Sequence, residues 1–189
     1  MYVTLMPVIF AGAANMVFTR TNFYKMHCKP IDGGKFFSDG KRIFGDNKTW
    51  AGFFGMIFFA AVFQMLWGYV CSAAESMESI NELYVYYPNC TAYNLAAGAL
   101  FGLSYVLFEL PNSFIKRRIG ITPGKTAKGA VGLAFFIIDQ IDSLIGVVLV
   151  LSLLSKISFA KYCLYILLGA LTHIAVNLVL YALKIRKNF

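Results

Sequence analysis

The stretch SFIKRRIGITPGKTAKGAVGLAFFIIDQIDSLIG, from Ser113 to Gly146, decides the fold. It begins with a cationic segment and ends in an apolar run that Asp139 and Asp142 interrupt. An ionised carboxylate costs about 2.5–3.5 kcal/mol at the centre of a membrane helix, so acids in an apolar run indicate a functional site. The alternative is that the acids pair with bases to lock a helical bundle. No apolar run of the chain contains a basic residue at that depth, so we interpret both aspartates as functional.

The composition of the chain predicts an all-α integral membrane protein. Of 189 residues, 59% are hydrophobic and 14% are charged, more apolar surface than one soluble core of this length can bury. We expect a single polytopic domain over residues 1–189, with cytoplasmic loops at about 20–49 and 113–129. Runs of about 20 apolar residues predict about five transmembrane helices: Tyr2–Phe18, Trp50–Ala73, Ala92–Leu110, Ala130–Leu154 and Tyr162–Leu183.

The positions of the basic residues predict the orientation in the membrane. Fifteen of the 17 Lys and Arg residues fall between the first and second spans, between the third and fourth, or after the fifth, where Lys184, Arg186 and Lys187 lie. The positive-inside rule then places the N-terminus outside and the C-terminus in the cytoplasm. We therefore expect a multi-pass protein of the cell membrane whose active site faces the cytoplasm.

The formal net charge of +8 allows two interpretations, nucleic-acid binding or a basic membrane surface. Basic segments at a membrane boundary more often reflect topology and contact with anionic lipid headgroups, so we expect membrane lipids as partners and no nucleic acid. The four cysteines have no spacing typical of a zinc site.

Asp139 and Asp142 are three residues apart, which places both carboxylates on one face of a helix. Such a pair is able to hold one divalent cation or to bracket two, and its oxygen ligands suit Mg²⁺ bridging to substrate phosphates. The cationic segment before them is the natural place for those phosphates. Because Asp139 lies deep, either a polar cavity reaches it, or part of the segment Gly120 to Phe136 is a re-entrant loop.

Two further polar groups allow both a structural and a functional interpretation. Asp46, Asn47, Lys48 and Thr49 precede the second span. They present either a phosphate and metal site at a helix N-terminus or a capped helix start with a snorkelling lysine. Glu109, at the end of the third span, is either a metal ligand or the partner of a neighbouring arginine, and its position favours the ion pair.

Several motifs together resemble the CTP-dependent lipid-phosphate cytidylyltransferases, and most closely the CDP-archaeol synthase branch. One motif runs from Ser113 to Arg118, continues through Gly120, Pro123 and Gly124, and ends in Asp-Gln-Ile-Asp at 139–142. The other is Pro-Ile-Asp at 30–32, followed by Gly-Asp-Asn-Lys-Thr-Trp at 45–50. The similarity covers nearly the whole chain. It departs from the family pattern at 108–109, where Phe-Glu replaces Gly-Asp, and at Leu-Pro-Asn 110–112.

The resemblance implies a reaction of CTP with a lipid phosphate that gives a CDP-lipid and pyrophosphate, with Mg²⁺ as cofactor. The acceptor is expected to be an archaeol-type or a diacyl phosphate, and a homo-oligomer is possible. Open alternatives are a CTP-dependent polyprenol or lipid kinase and a membrane transporter. The implied roles are metal binding by Asp139, Asp142 and Glu109, catalysis by both aspartates with Lys116 and Arg117, and substrate binding by Asp46, Asn47, Lys48, Thr49, Ser113, Arg118 and Lys125.

Overall fold

The computed structural model describes residues 1–125 and 127–184, and these residues form an all-α structure. Arg186 and Lys187, which entered the topology prediction, lie outside the described residues. A short 3₁₀ turn occupies Glu82–Tyr84. The helices are α1 Tyr2–Phe18, α2 Asn22–His27, α3 Trp50–Ser72, α4 Glu75–Ser79, α5 Thr91–Arg118, α6 Gly129–Ser155 and α7 Phe159–Ala182.

Five of these helices coincide with the five predicted apolar runs. Four of them, α3, α5, α6 and α7, are long and apolar enough to cross a membrane, and α1 is a shorter apolar helix of 17 residues. The predicted class of all-α integral membrane protein is therefore confirmed. We call the end of the bundle that carries residues 19–49 and 119–128 the basic end.

Helix α5 is longer than its apolar run. It continues past Leu110, through Pro111, and ends only at Arg118, so the loop that follows is 119–128 rather than 113–129. Its 28 residues span about 42 Å, well beyond the roughly 30 Å thickness of a bilayer's hydrocarbon core. Gly120 ends the helix with a φ of 83°, while the Ile121 N–H donates to the Lys116 carbonyl at 2.9 Å. The cationic segment is thus a rigid helical extension of a membrane helix.

Helix α5 lies between α3 and α6, and glycines allow the close approach on both sides. A Cβ atom at Gly98 would lie 2.5 Å from the Ala60 carbonyl oxygen, and one at Gly102 would lie 2.6 Å from the Ile57 Cα. On the other side, a Cβ at Gly146 of α6 would lie 2.6 Å from the Phe108 ring. Since membrane helices gain no hydrophobic driving force from associating, such close backbone contact provides much of their packing energy.

The segment between α2 and α3 is organised by a buried carboxylate, Asp32. It accepts hydrogen bonds from the Gly34 N–H at 3.0 Å, the Phe44 N–H at 2.9 Å and the Arg42 Nη2 at 2.7 Å. Burial alone would raise the pKa of Asp32, but the hydrogen bonds from Arg42 and the two amides outweigh it and hold the pKa below its ordinary value. The hydrogen bonds to this one carboxylate therefore hold the loop closed. The same loop carries residues 46–49 towards α5.

Replacing Gly98 with Leu tests the contact between α3 and α5. The new side chain meets the backbone of α3, which is less able to move aside than the end of a flexible side chain. We therefore expect the free energy of unfolding to fall by about 1–3 kcal/mol and the Tm in detergent to be lower. Gly12→Leu is the control, because a Cβ at Gly12 meets nothing within 4 Å. Equal Tm values for the two variants would contradict this account of the packing.

Replacing Asp32 with Ala tests the organisation of the loop. The hydrogen bonds lost include one to a charged partner, so we expect about tenfold faster trypsin cleavage within residues 30–49 of the folded protein. The lowered pKa means that the contribution of Asp32 is fully present above the ordinary carboxyl pKa and is lost only as pH falls through the folded value. The rate difference should accordingly be the same at pH 6 and pH 8. Asp46→Ala is the matched control, because its side chain is 70% exposed; similar cleavage of both variants would argue against this role.

Candidate active site

The predicted functional aspartates face α5 across the α5–α6 contact. Glu109, Asn112 and Lys116 recur at intervals of three and four residues and so share one face of α5. The Asn112 Nδ2 donates to the Asp139 Oδ1 and to the Asp142 Oδ2, each at 2.6 Å. The two aspartates therefore converge on a single amide group of the neighbouring helix.

Two lysines compensate the carboxylates. Lys116 Nζ lies 2.5 Å from both oxygens of Asp139, and Lys48 forms an ion pair with Glu109. The expectation that no basic group reaches the depth of Asp139 is wrong, because α5 continues as a helix and directs Lys116 back along its own axis. Burial alone would lower the pKa of Lys48, but Glu109, followed by the more distant Asp142 and Asp139, raises it.

The same contacts show how polar groups reach Asp139. Helix α6 is continuous from Gly129 onward, so no re-entrant segment brings the acids towards the surface from that point. Instead, long side chains descend from the basic end, from Lys116 on α5 and from Lys48 at the start of α3. Their side chains are 17% and 20% exposed, so both are mostly but not fully enclosed by the protein.

The donor set suits a divalent cation completed by its substrate. Within residues 1–125 and 127–184, no three or more His, Cys, Asp or Glu side chains are arranged to hold a metal ion by themselves. Mg²⁺ commonly takes only one or two protein carboxylates and fills its octahedron with phosphate oxygens and water. Asp139 and Asp142 supply two such carboxylates, and the Oδ1 of Asn112 beside them is buried with no hydrogen-bond partner in the part of the chain that the structure describes. The residues present therefore fit Mg²⁺. Glu109 is paired with Lys48, as Asp139 is with Lys116, and its role as a metal ligand stays a prediction.

The arginines predicted to bind phosphate occupy two different environments. Arg117 is 8% exposed, and its Nε and Nη1 have no hydrogen-bond partner among the described residues. Arg118 instead attaches the loop to α5, since its Nη2 donates to the Arg42 carbonyl and its Nε lies 3.1 Å from Asp39. Its guanidinium also lies 4.5 Å from the Phe114 ring centroid. Within the described residues, the Nη1 of Arg118 also lacks a hydrogen-bond partner, so both arginines retain donors for a ligand, and Arg118 in addition joins the loop to α5.

The other residues predicted to bind substrate also differ in their contacts and exposure. Thr49 caps α3, accepting from the Gly52 N–H at 3.1 Å, while Lys48 turns inward, so the cluster contains both the cap and a site lysine. Asp46 is exposed and pairs with Arg42 at 2.7 Å. Ser113 is buried on α5 one residue beyond Asn112. Two more predicted residues, Asn47 and Lys125, are exposed.

Sequence reasoning assigned no role to Asn112 or Asp32. The spacing of Asn112 from Glu109 and Lys116 is the signal that places it in the site, but it is visible only if the helix is known to continue past Pro111. For Asp32, the signal is its position before two glycines, a turn in which the side chain accepts from the backbone two residues on.

Comparison with known proteins gives consistent results. The family model CarS-like: CDP-archaeol synthase matches residues 3–189. The CDP-archaeol synthase of Thermofilum pendens is 28% identical over 183 residues, covering 96% of this chain and 76% of the relative. That of Methanococcoides burtonii is 31% identical over 177 residues, covering 85% and 89%.

A solved structure of an intramembrane enzyme for archaeal membrane lipids biosynthesis superposes with a TM-score of 0.64 at 20% identity, over 94% of this chain and 92% of that one. It shares the fold described above. With the family model matching almost every residue, and with the aspartate pair of the family motif brought together on one face of α6, the chain belongs to the CDP-archaeol synthase family.

Proposed function

We propose that this protein transfers the cytidylyl group of CTP to an archaeol-type lipid phosphate, giving a CDP-lipid and pyrophosphate. The observation that carries the proposal is the convergence of Asp139, Asp142, Asn112 and Lys116 between two membrane helices. A water-soluble nucleotide and a membrane-held phosphate have to meet at such a place. The names of the relatives support the activity and the archaeol-based acceptor.

In the reaction, an oxygen of the lipid phosphate forms a bond to the α-phosphorus of CTP, and the bond from that phosphorus to the bridging oxygen of the β-phosphate breaks. The electron pair leaves with pyrophosphate. Because the attacking phosphate is already ionised, no general base is needed, and catalysis rests on positioning and on electrostatic stabilisation.

The charges of the site support a role for Mg²⁺, which Asp139 and Asp142 would hold. Three carboxylates face two lysines, so one negative charge is left over when all five groups are ionised. When bound, Mg²⁺ neutralises phosphate charge and stabilises the leaving pyrophosphate. Lys116 lies beside Asp139, where its ammonium is able to donate to a phosphate oxygen as well.

Arg117 would bind a phosphate group of the substrates. A buried guanidinium with two unpartnered nitrogens is costly unless a ligand satisfies it, and planar donors match phosphate oxygens well. Lys48, Asp46 and Asn47 would border the nucleotide, since they lie on the loop that Asp32 closes over this end of the bundle. We propose that the basic end faces the cytoplasm at the cell membrane, where CTP is available.

The activity is tested by incubating purified protein with Mg²⁺, CTP labelled at the α-phosphorus, and a panel of archaeol-type and diacyl phosphates. We expect label in the lipid and an equal amount of pyrophosphate, with the archaeol-type acceptor preferred. A kinase would instead release CDP and leave the α-label in solution. That outcome, or no transfer to any acceptor by folded protein, would refute the proposal.

Asp139→Asn tests the metal assignment. Removing one of two metal carboxylates should weaken Mn²⁺ binding, measured by electron paramagnetic resonance without substrate, by about 10-fold or more, and should reduce transfer at least as much. Glu75→Gln is the matched control, because Glu75 is an exposed acid at the opposite end of the bundle. Wild-type Mn²⁺ affinity in folded Asp139→Asn protein would remove Asp139 from the metal site whatever the activity.

A further inference from the structure

A crevice runs along the bundle between α1 and α7. Its walls are α1 from Met1 to Met16 and α7 from Gly169 to Leu180, and its floor is formed by Tyr105 of α5 and by Ser143 and Val147 of α6. The α1 wall alone is about 22 Å long, more than the thickness of one leaflet's hydrocarbon region. The enclosed part of the crevice is small, about 90 Å³, so an occupant would lie partly in its open side.

The floor of the crevice lies one helical turn below the active site. Tyr105 precedes Glu109 by four residues, and Ser143 follows Asp139 by four residues, so each lies one helical turn deeper on the face that carries the acid. A molecule whose phosphate lies beside Asp139 therefore has the crevice directly beneath it, in the direction away from the basic end.

The lining is apolar in its chemistry because most of its polar atoms are engaged. Thr172 Oγ1 donates to the Leu168 carbonyl at 2.8 Å, and Asn177 Nδ2 donates to the Gln140 side chain at 3.3 Å. Ser143 differs, because it is fully buried and its Oγ has no hydrogen-bond partner within residues 1–125 and 127–184. That hydroxyl lies one helical turn beyond Asp139 on α6, between the charged residues and the apolar part of the crevice.

A second apolar hollow is a poorer candidate. It is lined on α5 by Leu107, Leu110, Pro111 and Phe114. These positions are on the opposite side of α5 from Glu109, Asn112 and Lys116 at 100° per residue. A lipid in that hollow would have the whole helix between its chain and the aspartates.

We propose that the crevice between α1 and α7 binds one hydrocarbon chain of the lipid phosphate and so sets the direction from which the acceptor reaches Asp139 and Asp142. The proposal rests on the proposed function, since it names the path of that reaction's acceptor. The occupant is a long isoprenoid or alkyl chain, because the crevice is long, narrow and apolar, and its floor begins one helical turn from the acids.

Gly12→Phe tests the proposal. Gly12 lines the crevice, and a Cβ there would meet no atom of the described residues within 4 Å, so a ring attached to it begins in open space rather than in the helix packing. We expect the KM for a long-chain lipid phosphate to rise about tenfold, because the ring would keep roughly two methylene groups of the chain from being buried. The KM for a lipid phosphate with chains of only a few carbons, and the KM for CTP, should stay unchanged. Val17→Phe, on the exposed face of α1, is the matched control.

The outcomes separate this inference from the function on which it rests. An unchanged KM for the long-chain acceptor in Gly12→Phe, or an equal rise for both chain lengths, would overturn the crevice while leaving the cytidylyltransferase activity in place. Absence of transfer by the wild-type protein would instead overturn the proposed function. As an independent measurement, a lipid phosphate with a photoreactive group in mid-chain should label peptides of α1 and α7; labelling confined to residues 107–115 would refute the crevice even if Gly12→Phe failed to fold.

Discussion

The requirement to compensate three carboxylates inside a membrane bundle determines much of this structure. An isolated charge in hydrocarbon is costly, and removing one member of a buried ion pair leaves the other uncompensated. Lys48 and Lys116 meet the requirement from outside the apolar core, one from the loop before α3 and one from the extension of α5. Both depend on close helix packing, because their side chains reach the acids only where α5 contacts α3 and α6 with glycines in between.

The compensation also prepares the site for its substrates. The lysines hold the carboxylates in position before any ligand arrives, and Asn112 holds the two aspartates together. Positive groups already in place need little reorganisation when phosphates bind, which is the property that makes electrostatic stabilisation effective. Arg117 is buried, and two of its nitrogens have no hydrogen-bond partner among the described residues. A ligand that accepts hydrogen bonds from them would offset the free-energy cost of burying these donors.

The sequence predicted the membrane helices well because hydropathy reports burial in lipid directly. It placed α1 at its observed bounds and the aspartates on one face of α6. It did not predict the helical continuation to Arg118, since a cationic run after a proline has the composition of a loop. That single difference hid the ion pair between Lys116 and Asp139 and the bridging role of Asn112. Contacts between distant segments, such as that of Lys48 with Glu109, depend on tertiary packing that no local pattern records.

The glycines of the membrane helices have two different roles. Some allow neighbouring helices to pack closely, whereas Gly12 leaves space beside its helix. Gly98, Gly102 and Gly146 face backbone or ring atoms at distances that leave no room for a side chain, so they bring α3, α5 and α6 together. Gly12 on α1 has the opposite surroundings, because nothing lies within 4 Å of where its Cβ would be. Small residues are enriched in membrane helices because they let neighbouring helices approach closely. Gly12 makes no such close contact, so it contributes little to the helix packing. Its position along the crevice is better explained by the width that a lipid chain needs between α1 and α7.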